Sequence, residues 1–332
     1  MNLWRVGIDE ASGQALGEPQ AITAPGLFVA HASISADGTR IAYSSVLQTR
    51  NIQRLTLNPS TGDPMGEPTW LTTGSRSWGN PDPSPDGQWV VFYSSLQPEG
   101  DIYIVRTDGT GLRQVTSEPG VLDRVPRWSP DSQWIAHFSN RSGSLQLWKI
   151  RPDGSDLQQL TEVPDATYPV WSPDGSRIAV YMLATKDHPE NVYVFDPNRP
   201  WKDQTPEILP KIENPAASFV VNSWSPDGER LAGTAGLATQ GLMVYSLRSK
   251  TFERLTDFGE WPAWLPDSRQ LLFVSGGKDF HVLDTKSKNV RKVFSVTRDV
   301  IGPPQLSKNG RQAYFSRRVT EADIWLVTID KQ

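Results

Sequence analysis

At 332 residues the chain exceeds an average domain, yet a closed all-β fold can hold that length in one unit. A net charge of −4 and a pI near 5.7 leave no electrostatic footprint for nucleic acid or an anionic membrane, and no apolar run suggests membrane insertion. Cysteine is absent, which excludes disulfides, thiolate metal sites and a cysteine nucleophile.

The chain opens without a signal-peptide pattern, since Met1-Asn2-Leu3-Trp4-Arg5 runs straight into repeat material. It is expected to be cytoplasmic as written, or periplasmic or extracytoplasmic if it is a mature or excised segment. Residues 2–23 align without a gap on residues 51–72: Arg5 falls on Arg54, Gly13 on Gly62, and Gly17-Glu18-Pro19 on Gly66-Glu67-Pro68. The N-terminus is therefore read as a displaced half-repeat.

Turns of the type Ser-Pro-Asp-Gly then recur at 35–38, 84–87, 129–132, 172–175, 225–228, 265–268 and 307–310. The spacing between their Asp or Asn residues runs 49, 45, 43, 53, 40 and 42, a period that marks a repeat architecture. Proline presets φ at the second turn position, Asp tolerates the third, and Gly takes the left-handed closure. The flanking runs are then two antiparallel strands, an inner A and a following B. Strand B alternates, as in Ile178/Val180 and Val90/Phe92, with small residues such as Ala136 and Ala179 between.

A third, aromatic strand C follows, as at 101–105, 145–149 and 191–195, and a short strand D ends in Leu-Thr or a near equivalent. Helical periodicity is nowhere evident. Four antiparallel strands per ~45 residues predict blades around an axis. The expectation is one all-β domain over 1–332, a seven-bladed β-propeller of four-stranded blades. Strands from both termini share the last blade, with residues 18–23 as the outermost clasp.

Trp-Ser-Pro-Asp-Gly at 171–175 and 224–228, the Ile-Ala or Leu-Ala that follows, the aromatic strand C and the closing Leu-Thr together resemble the WD40-like PD40 repeat of TolB-like β-propellers. The resemblance spans roughly residues 2–330. TolB's additional N-terminal domain has no counterpart in this sequence. The run 317–326 is similar to the C-terminal ends of bacterial propellers fused behind kinase or winged-helix regulators. The likeness implies a sensory or scaffold part of a larger protein that binds a protein or other ligand and does not catalyse. Its partner is expected to be a protein, peptide or carbohydrate, with no cofactor, and the chain is expected to be a monomer.

Ten of the thirteen Trp sit at repeat positions and read as packing residues; Trp78, Trp201 and Trp261 do not. Trp78 and Trp261 fall in segments joining strand D of one blade to strand A of the next, which converge near the axis on one face. Those segments also supply Arg76, Asn80, Asp123, Arg124, Tyr168, Glu260, Arg298 and Asp299, with His31 four residues before the first turn. Together they form the candidate ligand-binding face. The competing reading is a solvated rim of scattered ion pairs.

His137 and His281 read as structural, and His188 lies in a long loop. No His-x-x-x-His or His-x-His spacing exists, so no metal site is expected. The turn carboxylates are explained by bonds to their own backbone, and no Gly-x-Ser-x-Gly elbow is present. Catalytic residues are accordingly not assigned. Propeller lyases with a histidine-bound cation keep a second reading open: a small polysaccharide lyase or hydrolase working through axial residues such as His31, Arg124 and Tyr168.

Overall fold

The computed structural model describes residues 4–21, 29–95, 100–163, 165–184, 186, 190–210, 212, 218–236 and 241–328. His188 lies outside them, as do residues 22 and 23 of the expected clasp. The chain divides into two compact units, Arg50–Arg318 and Met1–Thr49 with Val319–Gln332.

The unit Arg50–Arg318 is a β-propeller. Five blades are contiguous antiparallel sheets, each laid down in chain order from A to D. Their inner A strands are Trp78–Pro83, Asp123–Trp128, Ala166–Trp171, Phe219–Trp224 and Glu260–Trp264. Each pairs across its Pro-Asp turn with a buried B strand, as Trp171 does with Ile178. The turn chemistry matches the sequence. Ser172 Oγ donates to Asp174 Oδ1 at 2.6 Å and accepts from the Arg177 N–H, while the Ser176 N–H donates to the same carboxylate. These bonds, the one from Ser172 first, hold Asp174 down at about 2.

Threonine explains the recurring Leu-Thr. Thr72, Thr116, Thr161 and Thr256 each accept, through Oγ1, the backbone N–H of a strand C residue (Ile52, Ile102, Leu147 and Leu242). The short D strand is thereby fixed where its own ladder runs out.

The sixth blade is composite. Its inner residues come from Val300–Ile301 and Gln305–Leu306, which pair with the strand Gln312–Thr328. The outer half comes from the other end of the chain: Arg40–Thr56 neighbours Gln312–Thr328 and pairs with Thr69–Trp70. The Leu57 N–H donates to the Arg311 carbonyl at 2.9 Å, stitching the two halves. Arg54 reaches the Thr107 carbonyl of the first blade, and Gln270 of the fifth donates to the Ser60 carbonyl. A closed circle buries every sheet edge along its inner strands.

Two expectations are corrected here. All seven hairpins form, but the ring holds six blades, because the first hairpin, Val29–Ile34 with Arg40–Thr56, opens in the other unit. The last blade is shared between the two ends, as anticipated, yet its outermost strand is Thr69–Trp70 and not 18–23. Gln20–Ala21 pairs with Trp4–Arg5 instead. The two half-repeats fold alike: Trp4↔Ala21 and Arg5↔Gln20 match Gln53↔Trp70 and Arg54↔Thr69, and the bridge Ile8↔Ala15 matches Leu57↔Pro64. Burial separates them. Leu55 and Leu57 are 1% exposed, while their counterparts Val6 and Ile8 are 39% and 57% exposed. The copy that enters the ring is the one whose apolar residues join a core, with Phe280, Val282 and Phe315.

Candidate functional site

Each of the five contiguous A strands carries a register shift just before its turn, for example between Arg124 and Arg127 and between Glu260 and Ala263. At four of these bulges a non-glycine residue takes a left-handed φ: Asn80 at 45°, Val125 at 51°, Tyr168 at 51° and Trp261 at 55°. Such backbone is costly for residues with a Cβ and persists where surrounding structure holds it. All four line one axial cavity of about 430 Å³. A second cavity of about 380 Å³ lies among the Ser-Pro-Asp turns, lined by Trp128, Trp171, Trp224 and Trp264 with the turn prolines. Arg127, Asn222 and Gln305 border both, so the two share the channel along the axis.

The first cavity is cationic. Arg50, Arg124, Arg127 and Arg318 line it, against one carboxylate, Glu260. Arg127 faces Asp82, whose carboxyl burial raises to about 6 against the pull of Arg127 and the Trp128 N–H. Burial lowers Arg50, the nearby Arg318 charge adds to that, and Tyr93 opposes it. Among the described residues, no carboxylate lies within ion-pair distance of Arg50, Arg124 or Arg318. Arg124 sits over the Tyr93 ring, 5.5 Å from its centre, and its buried Nε and Nη2 have no hydrogen-bond partner. Burial also raises the Glu260 carboxyl and the Tyr168 hydroxyl. No group of three His, Asp or Glu among the described residues could hold a metal ion, and no helix there is long and apolar enough to cross a membrane.

Of the eleven residues singled out in the sequence, Asn80, Arg124, Tyr168, Glu260 and Trp261 meet in this cavity. The others lie elsewhere. Trp78 is 2% exposed and packs edge-on against Phe92 and Tyr103, so it belongs to the core. Arg76 is exposed and hydrogen-bonds the Tyr103 hydroxyl at 3.0 Å. Asp123 is buried against Arg141 and His137, Asp299 pairs with Arg317 at 2.6 Å, and Arg298 is exposed outside the cavity. His31 is exposed and belongs to the other unit, with its own left-handed φ of 54°. Trp201 packs edge-on against Phe195, and His281 stacks on Phe273, both structural contacts.

Sequence reasoning missed Arg50, Tyr93, Arg127, Asn222 and Arg318. A signal existed for Arg127. In the six ring hairpins the position four residues before the turn Asp or Asn reads Asp82, Arg127, Val170, Ser223, Ala263 and Gln305, and all six line the channel. A repeat position that varies in charge while its neighbours stay constant is one that packing does not dictate.

The TolB β-propeller domain family model matches residues 18–204, more than half of the chain. No curated protein matches. Among solved structures, a TolB from Agrobacterium tumefaciens superposes with a TM-score of 0.66 at 17% identity, covering 82% of this chain and 99% of that one. TolB from Acinetobacter baumannii gives 0.59 at 15%, covering 74% and 63%. An oligogalacturonate lyase from Vibrio parahaemolyticus gives 0.51 at 12%, covering 82% and 98%. At such identities the likeness is one of fold, shared by TolB proteins and a lyase alike. With the repeat turns, the four-stranded blades and the family match in agreement, this chain belongs to the TolB β-propeller domain family.

Proposed function

We propose that the chain is a non-catalytic binding propeller, which recognises a protein segment, peptide or glycan at its axial cavity and serves as the sensory or scaffold part of a larger protein. The observation that carries this reading is the cavity itself. Six blades contribute to it, aromatic side chains stand beside guanidinium groups, and left-handed backbone at the bulges places Tyr168 and Trp261 on its wall. Concave sites with a few convergent polar groups are where ligands bind.

Catalysis would ask for more. A general base needs a neighbour that orients it and a cation within hydrogen-bond reach of the same point. Among the described residues, neither the Glu260 carboxylate nor the Tyr168 hydroxyl forms a side-chain hydrogen bond, and no histidine lines the cavity. Free, uncoupled polar groups suit recognition.

A combined peptide and glycan array, followed by titration of the hits against Trp261→Ala, tests the proposal. Binding should weaken about tenfold or more, as for a central aromatic anchor. The melting temperature should fall less than for Trp78→Ala, because Trp261 is only partly buried. Turnover of an array glycan, or ligand binding indifferent to Trp261, would reject it.

A further inference from the structure

Charge at the axial cavity is out of balance, and the imbalance is specific. Desolvating a guanidinium without a counter-ion costs several kcal/mol, so proteins pair such groups or hold them for a ligand. Arg50, Arg124 and Arg318 are each partly buried, border one cavity, and have no carboxylate within ion-pair distance among the described residues. The Arg318 charge is close enough to disfavour the charged form of Arg50. Arg124 keeps two buried donor atoms without an acceptor. Elsewhere in the same ring guanidinium groups are matched: Arg141 with Asp123, Arg317 with Asp299, and Arg291 with Asp63. Arg54, Arg113 and Arg177 also lack a carboxylate, but each stands apart, on the Thr107 carbonyl or over the Trp89 and Trp224 rings, whereas the cavity gathers three such groups on one wall.

We infer that the missing counter-charge is the ligand's, and that the axial cavity binds a carboxylate of an acidic peptide segment. The inference rests on the binding reading above and narrows it. Guanidinium groups form short, paired hydrogen bonds with carboxylates, stronger than those between neutral partners. The rest of the wall decides the kind of carboxylate. Val125, Phe138, Val300, Ile301 and Pro303 offer no hydrogen bonds from their side chains. Asn80, Asn222 and Gln305 stand among them, and their amides match the N–H and C=O groups of a peptide backbone. An Asp or Glu side chain, or a C-terminal residue, joins one anionic head to an apolar stem. About 430 Å³ holds a few such residues and no folded domain.

Calorimetric titration of the full chain with four probes tests this. The probes are the tetrapeptide Ac-Ala-Ala-Glu-Glu as free acid, the same peptide amidated, its Gln-Gln amide, and an oligouronate of equal charge. The acidic tetrapeptide should bind and the Gln-Gln amide should not, with affinity falling as salt rises. Arg124→Met and Arg318→Met should each weaken binding about tenfold or more, the loss expected for a charge-assisted hydrogen bond. Lys308→Met, in the cavity on the turn side, should leave it unchanged. Retained affinity of the amidated acidic peptide assigns the carboxylate to a side chain, and its loss assigns it to the chain end. Equal binding of the Gln-Gln amide, preference for the oligouronate, indifference to both arginines, or no binding at all would overturn the inference. A neutral array ligand dependent on Trp261 but not on the arginines would overturn it while leaving the binding function standing.

Discussion

Arg141 Nη2 donates to both carboxylate oxygens of Asp123, at 3.0 and 2.8 Å, while His137 Nε2 stands 3.4 Å from the same group. The His137 contact is long for a hydrogen bond. Burial by itself would raise the Asp123 carboxyl. The His137 and Ser139 side chains beside it, with the Arg141 charge, outweigh it and hold the group well below the usual carboxylate range. The cluster fastens strand A to strand B of one blade, beside the cavity but outside its wall.

Asp123→Asn should destabilise the protein by ~1.5–3 kcal/mol at pH 7, because it removes the buried partner of Arg141 and leaves that guanidinium only the exposed Glu118. The sign with pH follows from the depressed folded value. The stabilisation is complete above the unfolded value near 3.8 and fades as pH falls below it. Urea denaturation of both proteins at pH 7 and pH 3 should show the gap narrowing in acid. A constant gap would assign the loss to packing.

Trp78→Ala should cost ~3–5 kcal/mol, the range for a large buried aromatic. The position interrupts the tryptophan pattern of the repeats and reads from sequence as a surface ligand contact. Its ring instead lies 5.1 Å from Phe92 and 4.9 Å from Tyr103, sealed among them. A thermal melt decides, and an unshifted midpoint would return Trp78 to the surface.

Leu55→Ala should destabilise by ~2–5 kcal/mol, while Val6→Ala should change stability by no more than ~0.5 kcal/mol. The two residues hold the same place in two copies of one half-repeat, but only Leu55 is buried. Equal costs measured by chemical denaturation would mean that both copies pack against a core.

Asp82→Asn should flatten the dependence of stability on pH between about 4 and 6. The folded protein holds the Asp82 proton more tightly than the unfolded chain does, about 6 against 3.8. Its contribution to stability therefore falls as pH rises through that window. The amide oxygen keeps an acceptor for the Trp128 N–H, which Asp82 Oδ2 accepts at 2.7 Å. An unchanged profile in the variant would show that another group titrates there.

The repeat signature made the blades legible because it is local. A Ser-Pro-Asp-Gly turn, an alternating strand and a terminal Thr that accepts a strand N–H each act within one blade, so residues 172–182 disclose their hairpin unaided. Part of the axial cavity was legible for a similar reason: connecting segments approach the axis wherever a propeller forms. Trp78 and Asp123 sit in those segments too, and only three-dimensional packing turned them inward.

Composition and period thus determined the strand order within each blade, the turn geometry and the family. Tertiary structure alone decided the number of blades and the identity of the closing strand, because residues 4–21 and 53–70 pair in the same register. Their difference lies in which copy finds a core to bury Leu55 and Leu57. The same holds for the cationic cavity. Arg50 and Arg318 are 268 positions apart in the chain, and the closure of the sixth blade makes them neighbours.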